Sequence, residues 1–338
     1  MHRLLIAIIL CLLAGCASIH TSHIETLSGE AMGMTWTVKF VRTRASPDLH
    51  ELQNGIQQQL DAVDSQMSTW KTDSDLSRFN NADAGSWQTL PPELFGVLEK
   101  SLALARDTQG AYDPTVGPLV NLWGFGPGPK NRITPDADNL AAARRRVGWQ
   151  KIELNSATKS ARQPGGVWLD LSSIAPGFAI DQISRHLQGA GIENFLVEHG
   201  GELRAHGHRA GNKAWRVGIE QPDSDDTIAM IIVLNNQASG SSGDYRKFYE
   251  LDGKRYSHHI DPRTGAPVTH ALASVTVIAD DCITADSNAA ALSILGPDEG
   301  YAYASAQGIA ALFLVRTDAG FKQIMTAEFE TLLHSSSE

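Results

Sequence analysis

Two hydrophobic periods share this chain without taking turns, and their irregular order constrains the fold more than any other feature. Trp36, Val38 and Phe40 alternate with Thr35, Thr37 and Lys39, the pattern of a half-buried strand. A helical stripe follows, in which Leu49, Leu52, Ile56, Leu60, Val63 and Met67 recur every three or four residues, with Ser46-Pro47 reading as N-cap and first-turn proline. Helices are predicted over 92–108, 136–147, 176–187 and 285–295, with another near Gly300. Strands are predicted over 167–171, 194–197, 215–219, 229–234 and 273–279, around Leu312 and Phe321, and in a hairpin turning at Asp252-Gly253. A doubly wound parallel fold needs strict succession of strand and helix, whereas clustered strands favour an α+β class with largely antiparallel sheet. The 338 residues exceed the roughly 150 of one typical domain, which points to two sub-structures. Pro127-Gly128-Pro129 and Pro164-Gly165-Gly166 read as surface turns and candidate hinges.

The N-terminus follows another logic. An apolar run from Leu4 to Leu13 stands behind Arg3 and is too short for a spanning helix, which needs roughly 20 residues, so it reads as a signal peptide. Leu13-Ala14-Gly15-Cys16 resembles the lipobox of bacterial lipoproteins. The expectation is removal of residues 1–15, lipidation of Cys16, a polar tether over 16–29, and a body over 30–338 held on a bacterial membrane facing the periplasm. Of the 3 cysteines, Cys11 leaves with the signal and Cys16 carries lipid, so Cys282 is unpaired and neither a disulfide framework nor a cysteine metal cluster is available. A formal net charge of -10 opposes nucleic acid as a partner.

The sequence holds no P-loop, no G-x-G-x-x-G after a strand and no H-E-x-x-H, and Gly240-Ser241-Ser242-Gly243 misses the spacing of a nucleophile elbow. Five polar, glycine-rich segments interrupt the apolar pattern instead. The first is a loop over 110–118 with one carboxylate, Asp113. The second, 169–177, runs from strand into helix, where free backbone N–H groups suit a phosphate. The third is Glu198-His199-Gly200-Gly201-Glu202 at a strand end, where two glycines permit a close backbone approach. The fourth covers 239–245 and 257–265, where Asp261 to Gly265 suits a type I turn. Adjacent histidines on one strand point to opposite faces, so at most one of His258 and His259 is functional. The fifth, Thr284-Ala285-Asp286, opens a helix with a carboxylate that is either an N-terminal charge partner or a metal ligand.

Taken in order, the stretches GEAMGMTW, MSTWKTDSDLSRFN, GAYDPTVGPLVNLWGFGP, LDLSSIAPGFAID, NFLVEHGGELRAHG, SGSSGDYRKFYELDGKRYSHHIDPRTGAPV and SVTVIADDCITAD resemble the ApbE family of flavin transferases, over nearly the whole chain from Gly29 onward. That resemblance implies an ApbE-like, T-fold-related body. It implies Mg²⁺-dependent transfer of FMN from FAD to a threonine or serine of an acceptor protein through a phosphoester bond, with release of AMP. It places FAD against Met32, Trp70, Ala111, Tyr112, Asp113, Asp170, Pro176 and Ile260, magnesium at Ser173 and Asp286, and the active-site histidine at His258. The acceptor is expected among membrane redox-complex subunits. Two departures stand out: Ala289 and Ala290 replace residues that in the family include a metal-binding threonine, and Pro176 stands where Lys or Glu is common. The alternatives these leave are a membrane-anchored FAD-binding protein without transfer, and an FAD pyrophosphatase releasing FMN and AMP.

Overall fold

A computed structural model describes residues 23–127, 132–224 and 227–335. It is a mixture of helices and antiparallel sheet, as the irregular periods require. The first strands, β1 (His23–Ala31) and β2 (Met34–Arg42), pair along their full length and turn at Met32-Gly33, where φ reaches 53° and 73°. The structured body therefore begins within the expected tether, and 23–29 belong to the sheet. The signal segment and Cys16 lie outside the described residues.

Chain order supplies the rest of the main sheet: β6 (Phe195–His199), β7 (Glu202–His206), β10 (Ala238–Gly243), β15 (Leu272–Ala279), β16 (Ala310–Thr317) and β17 (Gly320–Met325). The order across it is β1-β2-β6-β7-β10-β15-β16-β17, every pair antiparallel. Two halves meet where β7 joins β10 through only Arg204 opposite Ala238 and Leu203 opposite Ser239. Each half has its own helical backing, which gives the two sub-structures physical form. Against β2 and β6 lie α1 (Leu49–Met67) and α6 (Ala175–Gly189), where Trp36, Val38, Phe40, Phe195 and Val197 pack with Ile56, Leu60, Ile180 and Ile183. Against β15 and β16 lies α7 (Cys282–Gln307), with Val275, Val277 and Phe313 against Ala289, Leu292 and Leu295. Strand alternation sends Ile278, Leu312 and Leu314 to the opposite face, under the β8 (Trp215–Glu220) and β9 (Ile228–Leu234) hairpin and α8 (Ala327–Ser335).

Smaller pieces complete the chain. These are α2 (Asp75–Asn80), α3 (Pro92–Asp107), α4 (Gly117–Leu122), α5 (Ala137–Arg146), and a three-stranded sheet of β3 (Gln88–Thr89), β4 (Glu153–Asn155) and β5 (Ser160–Arg162). Two hairpins follow, β11 (Phe248–Leu251) with β12 (Lys254–Ser257), and β13 (Ile260–Asp261) with β14 (Ala266–Pro267). The Asp252-Gly253 turn is observed, both residues at positive φ.

Several local expectations change. Asp48, not Ser46, caps α1, because its Oδ1 accepts from the N–H groups of His50 and Glu51. Residues 167–171 run extended but form only one isolated bridge, Trp168 to Val116. Their partners are not a strand: Leu169 exchanges two hydrogen bonds with the Asn80 amide, and the Asp170 N–H donates to Pro114 O. The helix predicted from residue 285 starts at Cys282, capped by Asp281, and kinks at Gly296-Pro297 where φ is 80°. Pro164-Gly165-Gly166 is an exposed turn tied to α5 by the Arg146 guanidinium, and 128–131, which include part of the other candidate hinge, lie outside the described residues.

Candidate active site

The site begins with two helices that cap one another. Asp181 of α6 accepts from the N–H groups of Cys282 and Ile283 at 3.0 and 2.9 Å, so it orients the start of α7. Asp286 of α7 returns the arrangement, its Oδ2 accepting from Gly177 N–H at 2.9 Å. This close packing needs glycine at two places. A Cβ on Gly177 would lie 2.5 Å from Cys282 O, and one on Gly240 would lie 2.5 Å from Asp286 N. Asp286 thus does not cap its own helix but that of a neighbour, and the first-turn N–H groups of α6 expected to meet a phosphate are spent internally. The Ala175 N–H donates to Leu171 O, Phe178 to Ile174 O, and Pro176 has no donor.

Burial pushes the Asp286 carboxyl up to about 7, against the Gly177 hydrogen bond that favours its charge. Glu202, which opens β7, is also raised well above its ordinary value, by burial first and then by the charge of Asp286. Extending the Leu203–Ser239 register by one residue sets Glu202 opposite Gly240, whose bare Cα faces the Asp286 backbone. Tyr112 closes another side. Its hydroxyl lies 3.5 Å from Ser173 Oγ, its ring packs with Ala290 and Ala291, and burial pushes its phenol up to about 12, with Asp286 and Asp170 raising it further.

Two residues further along the same face of β10, about 7 Å at strand rise, Ser242 Oγ lies 3.0 Å from His259 Nε2. The histidine pair breaks the alternation expected of it. Residues 258 and 259 sit in a bend between β12 and β13, so the two rings lie 4.1 Å apart rather than on opposite faces. His258 is tied twice to one atom: its backbone N–H and its Nδ1–H both donate to Lys247 O, at 3.0 and 3.1 Å. Burial and the Lys247 charge bring its imidazole down to about 4, and burial holds His259 well below its ordinary value too. Phe125 meets His258 edge-on and stacks on Tyr249, which stacks on Tyr256 and through it on Trp123.

The sequence model of the ApbE family matches residues 32–313. This chain belongs to the ApbE family. Among ApbE relatives, FAD:protein FMN transferase from Vibrio cholerae is 40% identical over 325 residues, 96% of this chain and 96% of the relative. The Klebsiella pneumoniae protein of the same name is 40% identical over 332 residues, 95% and 94%. The crystal structure of Pseudomonas stutzeri flavinyl transferase ApbE in its apo form superposes with a TM-score of 0.87 at 38% identity, covering 94% of this chain and 98% of that one. The flavin transferase ApbE from Vibrio cholerae gives 0.86 at 38%, covering 92% and 100%.

Of the residues the ApbE resemblance singles out, Tyr112, Asp170, Ser173, Pro176 and Asp286 gather at the helix ends. His258 and Ile260 share the second cluster, with Ile260 buried against Leu119, Trp123 and Ala143. Ala111 is fully buried, and the Asp113 carboxylate is spent on the protein itself, accepting from Thr115 N and Thr115 Oγ1 in its own loop and from Trp149 N beyond it, at 2.8, 2.6 and 2.9 Å. Asp170 likewise accepts from Ser172 N. Met32 lies in the β1–β2 turn, half-buried on the first core, and Trp70 stands 64% exposed beyond the end of α1. Cys282 is free, buried and pushed far up by burial, which makes it inert. Sequence reasoning passed over Glu202 and Lys247 as functional groups. A glutamate re-entering a sheet directly after Gly-Gly was the available sign of the first.

Proposed function

We propose that this chain transfers FMN from FAD to a threonine or serine hydroxyl of an acceptor protein, and the observation that carries the reading is the double anchor of His258 on Lys247 O. A ring that donates through Nδ1 keeps its lone pair on Nε2, and one held near 4 is neutral at pH 7, so Nε2 is free to take a proton. The acceptor oxygen attacks the FMN phosphorus and passes its proton to Nε2. The phosphorus–oxygen bond to the AMP phosphate breaks, and AMP leaves with the electron pair.

The carboxylate cluster fits a divalent cation. Asp286 and Glu202 are buried together, and among the described residues no Lys, Arg or His forms an ion pair with either, the Lys247 charge only tempering the rise of Glu202. No group of three or more His, Cys, Asp or Glu there suits a metal, and Ala290 offers no oxygen, so Asp286, Ser173 and the substrate's own phosphates would hold the ion. Bound Mg²⁺ would supply neutralisation of phosphate oxygens. Ser173 and Tyr112 line that place, and Asp286 keeps α6 aligned with it.

The acceptor is proposed to be a membrane redox subunit, with Cys16 as lipid anchor and the body in the periplasm. The intact mass of the mature N-terminus checks the anchor. For the reaction, the protein is incubated with FAD, Mg²⁺ and a threonine-bearing acceptor domain. Fluorescent acceptor is expected, and His258→Ala should abolish it while FAD still binds. Free FMN plus AMP would make the chain a pyrophosphatase, and unchanged FAD a binding protein. Undiminished flavinylation by His258→Ala removes the histidine from the chemistry.

A further inference from the structure

Residues 244–247 leave β10 and enter β11 through a bend that joins no strand, yet they deliver the carbonyl that fixes His258. One backbone bond, Asp244 N–H to Ala273 O at 3.0 Å, holds the start of that bend. Its far end is held by His258, whose backbone N–H donates to Lys247 O, and between the two the hold comes from side chains. Arg316, on β16, grips Asp244 as a fork, with one guanidinium nitrogen on each carboxylate oxygen at 2.7 Å. The same guanidinium reaches Asp223 through contacts of 3.2, 3.3 and 3.1 Å. Asp223 stands in the β8–β9 connection at φ 61°, a left-handed conformation that a non-glycine residue keeps only when its surroundings hold it. From β12, Arg255 touches the Asp223 carboxylate at 3.5 Å and the Asp244 carbonyl at 3.4 Å. Arg246 pairs with Glu220 at the end of β8. Two arginines and two aspartates thus form a neutral cluster that joins four separate segments, with the Asp244 side chain only 14% exposed.

We propose that Arg316 is a positioning residue for His258: by its forked ion pair it fixes Asp244, and with it the bend whose Lys247 carbonyl sets the tautomer and aim of the imidazole. The inference rests on the reading of His258 as proton acceptor. The chemistry asks for arginine, since a planar fork holds both carboxylate oxygens at once and a lysine ammonium does not. Arg316 touches no substrate in this scheme. Its effect passes through three residues of backbone, where a displacement of about 1 Å at the base is enough to cost up to about 10²-fold in rate.

The test compares Arg316→Met with the unaltered chain in the flavin-transfer assay and by NMR of the histidine ring nitrogens. The expected result is a kcat lower by about 10- to 100-fold with little change in KM for FAD, and loss of the single Nδ1–H form of His258. Asp244→Asn, which keeps the side-chain shape but weakens the fork, should move both readouts in the same direction, and it serves if Arg316→Met does not fold. An unaltered His258 ring spectrum, or a rate unchanged by the Arg316 substitution, overturns the proposal. If the unaltered chain transfers no flavin, the proposed reaction fails on its own, and the ring spectrum still decides whether Arg316 sets the imidazole.

Discussion

Asp181 and Asp286 do the same structural job, and burial raises both carboxyls, but only one of them has a basic partner. Each is a buried carboxylate on one helix that caps the N-terminus of the other. Asp181 is neutralised by Arg204 at 3.0 Å, which also holds Ser184 and the Asp280 carbonyl. Asp286 has no basic partner among the described residues and faces a second buried acid, Glu202. A fold that needed only two caps would treat both alike. The side left without a cation is the one where Tyr112 and Ser173 converge, which sets Asp286 within the proposed site and Asp181 outside it.

Substitution at the paired side should show the largest effect. Asp181→Ala strands the Arg204 guanidinium and leaves the Cys282 and Ile283 N–H groups at the start of α7 without their acceptor, so unfolding free energy should drop by about 3–5 kcal/mol in denaturant titration. A loss below ~1 kcal/mol would mean the pair is not a structural tie. Next comes Asp286→Asn, whose amide oxygen still accepts from Gly177 N–H. Flavin transfer should fall about 10²-fold or more while the melting temperature holds or rises, because a buried acid without a counter-charge has gone. A variant that loses stability and keeps its rate would reverse the assignment of the two aspartates.

The same contrast has a pH signature. Asp286 takes up its proton far more readily folded, at about 7, than unfolded, near its ordinary 3.8. Between those values the folded state holds more protons, so the metal-free protein should lose stability as pH rises from about 4 to about 7. Below that window the group contributes no slope. Asp286→Asn should flatten the curve, and Mg²⁺ should raise the melting temperature more at pH 8 than at pH 5, since it favours the ionised carboxylate. A melting temperature that climbs with pH through this window would contradict the unpaired state of Asp286.

The sequence carried the long helices, missed the short ones at Asp75–Asn80, Gly117–Leu122 and Ala327–Ser335, and failed at particular strands, for physical reasons. The α1 stripe from Leu52 to Met67 is buried as its spacing demands, because one amphipathic helix face writes its own period. β1 escaped notice because it is an edge strand with a single buried residue, Leu27, so no alternation is required of it. The extended stretch around Leu169 reads as a strand, but an asparagine side chain takes the place of its neighbour. The same limit governs the site. Asp286 is visible as a carboxylate near a helix start, but its target, the end of α6, is set by tertiary packing that one sequence does not display. The rule of opposite faces failed for His258 and His259 because a bend, not a strand, carries them. Nothing local connects Arg316 to Asp244, which lies 72 residues away.

The smallest effect belongs to Glu202, and its smallness is informative. Burial, first, and the charge of Asp286 raise its carboxyl well above the ordinary carboxylate range, which favours its neutral form in the metal-free protein at mildly acidic pH. A glutamine mimics that neutral form in size and polarity. Glu202→Gln should therefore change stability by no more than ~0.5 kcal/mol in the metal-free protein, against the several kcal/mol expected for Asp181→Ala. Chemical denaturation at mildly acidic pH checks this. A loss of 2 kcal/mol or more would show that Glu202 is ionised and has a partner, and the comparison would then be between two paired carboxylates rather than one paired and one exposed to its own kind.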